Sequence, residues 1–116
     1  MAEERALKPG PDGPDPRHQV DELRRRIDEI DESLVRLLSA RAACALEVGR
    51  VKKLLGLEIY QPSREADVLS HVQRVNPGPL NDASIKRLFE RIIDEARRLE
   101  REAEVENTGD ERTREG

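Results

Sequence analysis

One series of positions recurs at alternating steps of three and four through the first half of the chain, apolar at every place but Arg41: Val20, Leu23, Ile27, Ile30, Leu34, Leu37, Arg41, Cys44, Val48, Val51 and Leu55. At 100° per residue that spacing holds one stripe on one face of an α-helix. It predicts a helix over about residues 17–54, with Asp15 as cap, Pro16 at the first position and Gly56 as the stop. Gly49 is the one weak helix former in this run. A second helix is predicted over about 63–75, started by Pro62-Ser63, with Val68, Leu69 and Val72 inward. Asn76-Pro77-Gly78-Pro79 breaks it. Asn81 or Asp82 caps a third helix running to about 104, with Ile85, Leu88, Phe89, Ile92, Ile93, Ala96 and Leu99 as its stripe. No segment alternates with the period of a strand, so the expected class is all-α.

The same pattern sets the domain organisation. Residues 1–16 are polar and proline-rich, with Pro9, Pro11, Pro14 and Pro16, and read as a disordered tail. Residues 17–104 form one helical domain, and 105–116 read as a second disordered tail. The first helix, about 55 Å long at 1.5 Å per residue, overshoots a compact globule of this size, whose radius of gyration is about 13 Å. Its stripe runs nearly the whole length, more than two shorter helices of one chain can cover. A second copy in an antiparallel or intertwined homodimer is the expected cover.

Composition narrows the function. Charged residues make up 40% of the 116 residues and the net charge is −4, with both signs interleaved along the helices. That is a solvated helical surface and not a nucleic-acid footprint. Tyr60 and Phe89 are the only aromatics, too few for base-stacking modules. Cys44 is the single cysteine, so no intrachain disulfide forms and a reducing compartment is expected. His18 and His71 stand far apart without cysteine neighbours, so no metal site is expected. No apolar run approaches the roughly 20 residues that span a bilayer, and the first residues contain no signal-peptide core. The expected compartment is the cytoplasm.

The informative residues are charges on faces meant for burial. Arg24, Arg41, Lys52 and Arg64 sit on or beside the apolar stripes, where a charge needs a partner. Arg41 and Lys52 are separated by three helical turns plus about 20°, so they share a face about 16 Å apart. Two long cationic side chains at that spacing suit a small dicarboxylate. Arg24 is about 25 Å from Arg41 on the same helix, beyond reach of one small ligand, yet an antiparallel partner brings it to the other copy's pair. Arg64 and Glu65 open the second helix and close the pocket. Glu100 lies four residues past Ala96 on the apolar face of the third helix. A structural reading also fits this spacing. Long cations snorkel from seam positions, and the product is then a helical interaction module. Spacing alone leaves both readings open.

Taken in order, Leu23-Arg24-x-x-Ile27-x-x-Ile30-Asp31, Leu37-Leu38-x-x-Arg41, Glu47-Val48-Gly49-x-x-Lys52, Pro62-x-Arg64-Glu65 and Leu88-Phe89-x-x-Ile92-Ile93 resemble the all-helical (AroQ-type) chorismate mutase family over about residues 20–100. The resemblance implies an intertwined homodimer of three-helix subunits with two identical sites. It implies conversion of chorismate to prephenate, on the route to phenylalanine and tyrosine, without a cofactor. By position, Arg24 resembles the arginine that crosses from the partner subunit to a substrate carboxylate, and Arg41 the one that grips the other carboxylate. Lys52 resembles the lysine that donates to the ether oxygen, Arg64 a supporting arginine, and Glu65 the glutamate that accepts from the substrate hydroxyl. Glu100 falls where many relatives carry a glutamine that donates to the ether oxygen. Two positions depart from the pattern. Gln61 replaces an aspartate common three residues before Arg64, and Ala96 replaces a serine found in some relatives. Within the same fold an isochorismate pyruvate-lyase-like enzyme shares the cationic pocket. A non-catalytic helical module is the alternative from another class, and an activating partner enzyme is left open.

Overall fold

The structure is a computed structural model that describes residues 15–58 and 60–115, with side chains through Glu106. The expected N-terminal tail therefore falls outside the described residues, save Asp15 and Pro16. Three helices follow one another: α1 (Pro16–Leu55), α2 (Pro62–Arg74) and α3 (Asp82–Glu115). No strand occurs among the described residues, and none of their helices is long and apolar enough to cross a membrane. By internal contacts the chain divides inside α1 into two units, Met1–Leu37 and Leu38–Gly116.

Each boundary has a local cause. The Asp15 carboxylate accepts a hydrogen bond from the Arg17 amide at 3.0 Å, and its carbonyl accepts from Gln19 at 3.0 Å. With Pro16 at the first position, that is a capped N-terminus. At the other end Gly56 adopts φ +72°, the left-handed conformation that costs a side-chain-bearing residue about 1–2 kcal/mol. Its amide donates to Lys53 O at 3.1 Å and the Leu57 amide donates to Lys52 O at 2.8 Å, a Schellman closure. α1 therefore stops just beyond Lys52.

The turn into α3 is built by two asparagines. Asn76 Nδ2 donates to Leu80 O at 2.6 Å and to Asp82 Oδ1 at 3.0 Å. Asn81 Oδ1 accepts from the Ser84 amide at 2.8 Å, so Asn81 is the cap of α3. α3 continues past the expected end near residue 104 to Glu115. No proline follows Pro79, and the segment after Leu99 is dense in Glu and Arg, which are strong helix formers.

In the second unit α2 packs on α3. The facing side chains Val68, Leu69, Val72, Ile85, Phe89, Ile92, Ile93 and Leu99 are half-buried. Leu88, expected in this stripe, is instead 52% exposed. Among the described residues no apolar side chain is fully buried, and Gly49 is the one buried residue of α1. In the first unit Val20, Leu23, Ile27, Ile30, Leu34 and Leu37 all lie open, Leu37 at 66%. The stripe that makes α1 a helix has no cover within its own unit.

Candidate active site

The second unit contains a cavity of about 520 Å³ between the C-terminal half of α1, the start of α2 and the middle of α3. Its wall includes Arg41, Lys52, Arg64, Glu65 and Glu100, so five of the six sequence-selected residues line one space. The sixth, Arg24, lies exposed on α1 in the first unit and is not part of this lining.

Each residue reaches the cavity for a local reason. Arg41 and Lys52 come from one face of α1, as their separation of three turns requires. Both are half-buried. Lys52 Nζ donates to Gln61 Oε1 at 3.1 Å. Gln61 is the N-cap residue of α2, in an extended conformation, and its side chain makes no capping bond. The side-chain amide at this cap position is spent on the lysine instead. Its backbone carbonyl still accepts from Arg64 at 3.1 Å and from Glu65 at 3.3 Å, which fixes both at the mouth of α2. The departure from aspartate at position 61 therefore leaves Lys52 beside a neutral acceptor.

Glu100 projects from α3 toward Gly49 of α1. A Cβ built on Gly49 would lie 3.8 Å from both Cδ and Oε2 of Glu100, in ordinary van der Waals contact. Burial raises the Glu100 carboxyl above the usual glutamate range, and the charges of Lys52 and Arg97 oppose that rise without cancelling it.

Sequence reasoning missed Arg97. Its guanidinium pairs through Nη2 with Glu65 Oε1 and lies 4.9 Å from the centre of the Tyr60 ring. Arg97 and Glu65 are both partly buried, with side chains 34% and 24% exposed. The signal that could have found it was spacing: Arg97 stands four residues after Ile93 and three before Glu100, on the inward face. The adjacent Arg98 masked it as one of a solvated pair. Arg101 and Glu104 also reach the wall. The lining thus carries five cations, Arg41, Lys52, Arg64, Arg97 and Arg101, against three carboxylates, Glu65, Glu100 and Glu104. Positive charge is in surplus, and it grows when Glu100 is neutral. Such a wall suits a small organic dianion.

Comparison with known proteins agrees with this chemistry. The family model for chorismate mutase type II matches residues 23–101. The chain is 43% identical over 100 residues to the bifunctional chorismate mutase/prephenate dehydratase of Pseudomonas aeruginosa, an alignment covering 82% of this chain and 27% of that protein. It thus spans about a quarter of the length of that relative. It is 28% identical over 82 residues to the chorismate mutase of Methanocaldococcus jannaschii, covering 70% of this chain and 83% of that one. The solved chorismate mutase of Thermus thermophilus (form II) aligns with a TM-score of 0.69 at 36% identity, over 72% of this chain and 94% of that chain. On the family match, the shared fold and the convergence of five expected residues on one cavity, the chain belongs to the chorismate mutase type II family.

Proposed function

We propose that this chain is a chorismate mutase, rearranging chorismate to prephenate in a cavity completed by a second copy. The observation that carries the reading is the convergence of Arg41, Lys52, Arg64, Glu65 and Glu100 on one cation-rich cavity.

The reaction is a single pericyclic step that breaks a C–O bond as a C–C bond forms, so it calls for no nucleophile. Negative charge grows on the ether oxygen in the transition state. Lys52 donates to that oxygen, and a protonated Glu100 donates a second hydrogen bond. Both interactions are stronger in the transition state than in the ground state, which is the condition for catalysis. Arg41 holds one carboxylate and Arg24 of the partner subunit the other, compacting the substrate toward its reactive shape. Arg64 supports this charge frame, and Glu65 accepts from the substrate hydroxyl.

The homodimer rests on the open stripe of α1. Burying six side chains such as Leu23, Ile27 and Leu34 is worth on the order of 10 kcal/mol, comparable to the whole stability of an ordinary domain. A second copy offers the same stripe in return. The proposed compartment is the cytoplasm, on the single free thiol Cys44 and the polar composition.

The test is incubation of the purified chain with chorismate and, separately, with isochorismate, followed by ultraviolet absorbance and by identification of the product. Prephenate supports the reading. Unchanged chorismate supports the non-catalytic helical module, and turnover of isochorismate to salicylate and pyruvate in preference supports the lyase.

A further inference from the structure

We propose that Arg97 is a positioning residue for the rearrangement: clamped between the Tyr60 ring and Glu65, it holds the Glu65 carboxylate in place for the substrate hydroxyl. The inference rests on the chorismate mutase reading and adds to it a residue with no role there.

Three observations converge on it. Arg97 makes an ion pair across two helices, running from α3 to Glu65 at the start of α2. Its guanidinium also lies 3.7 Å from the carboxylate of Asp94, one turn back on its own helix. The Tyr60 ring, 4.9 Å away in the segment between α1 and α2, gives the guanidinium a flat seat. That seat matters because both ends of the pair are partly buried, and a half-buried ion pair with a fixed plane loses less on ordering than an exposed one.

The geometry leaves Glu65 able to work. The pair engages Oε1. Oε2 then accepts from a substrate hydroxyl, with the carboxylate already oriented. Arg97 has a second, electrostatic effect. A substrate carrying two carboxylates meets Glu65 as a like charge, and the paired guanidinium offsets that charge at contact distance. Lysine cannot copy the arrangement in full, since its ammonium neither stacks flat on Tyr60 nor spans the same fork. Arg97 touches no reacting atom in this scheme; it acts through Glu65.

Coupling between the two residues tests this. Steady-state kinetics with chorismate are measured for the wild type, Arg97→Leu, Arg97→Lys, Glu65→Gln and the Arg97→Leu/Glu65→Gln double variant, with circular dichroism as the check on folding. Arg97→Leu is expected to lower kcat/KM by about tenfold, mainly through KM, and Arg97→Lys by less. In the Glu65→Gln background Arg97→Leu is expected to cost under about twofold, because the group it positions is gone. An equal cost in both backgrounds overturns the proposal, as does an unchanged kcat/KM in Arg97→Leu. If Arg97→Leu does not fold, Arg97→Lys carries the same comparison in both backgrounds. A wild type without mutase activity overturns the underlying reading and this inference with it, whereas an active wild type with additive variants overturns this inference alone.

Discussion

Glu100 is where a single residue decides most. A carboxylate donates to the ether oxygen only when protonated, and when ionised it repels the charge developing there. Burial raises its pKa, against the opposing charges of Lys52 and Arg97. In the proposed role at the ether oxygen the protonated form is the active one, so kcat/KM is expected to be highest below the folded-state pKa and to fall as pH rises through it. Stability follows the same sign: a carboxyl raised on folding favours the native state at low pH and loses that contribution as it ionises. Glu100→Gln supplies a permanent neutral donor of nearly the same shape. It is expected to flatten the pH profile of kcat/KM and to raise activity at neutral pH. A wild-type profile already flat from acidic to mildly basic pH, unchanged by Glu100→Gln, removes Glu100 from the ether oxygen. At this scale the sequence was informative where a charge interrupts an apolar stripe, as Arg41, Lys52 and Glu100 do. It did not single out Arg97, because the adjacent Arg98 masked its inward spacing after Ile93 and its partner Glu65 is 32 positions away.

At the scale of elements, the ends of the helices position the site. The Schellman closure at Gly56 halts α1 just past Lys52, and the short return places Gln61 where its amide meets that lysine. Gly56→Ala forces a Cβ into the left-handed conformation and is expected to destabilise the fold by about 1–2 kcal/mol. In thermal melts that is a fall of several degrees, with KM for chorismate raised because Lys52 loses its fixed exit turn. An unaltered melting temperature contradicts the role of the closure. The three helices, Asp15 as the first cap and the breaks at Gly56 and Asn76–Pro79 were legible from period and turn chemistry, since both are local. The far end of α3 was not, because no proline or cap marks a stop and the Glu and Arg content there favours helix and solvated tail alike. The role of Gln61 was half legible: its departure from aspartate was visible, its bond to Lys52 was not.

At the scale of the whole molecule, the proposed site depends on a second copy. The cavity is lined from residues 41–104, while the stripe from Val20 to Leu37 lies open and Arg24 has no place in that lining. The proposed dimer rests on a length of apolar helix exceeding what one chain can cover, and the exposed side chains of α1 display that excess. If pairing stabilises the native state, tenfold dilution is expected to lower the melting temperature by a few degrees, through mass action. The most direct measurement of the central claim is activity restored between two dead variants. Arg24→Ala and Lys52→Ala are each expected to lose at least about 30-fold in chorismate turnover, the cost of removing one partner of a buried charge contact. Unfolded together in equal amounts and refolded, half of the dimers are mixed, and each mixed dimer carries one intact site and one doubly damaged site. The refolded mixture is expected to recover about a quarter of wild-type chorismate mutase activity. Mixed dimers demonstrated by native mass spectrometry with no recovered activity would contradict a site shared between two copies.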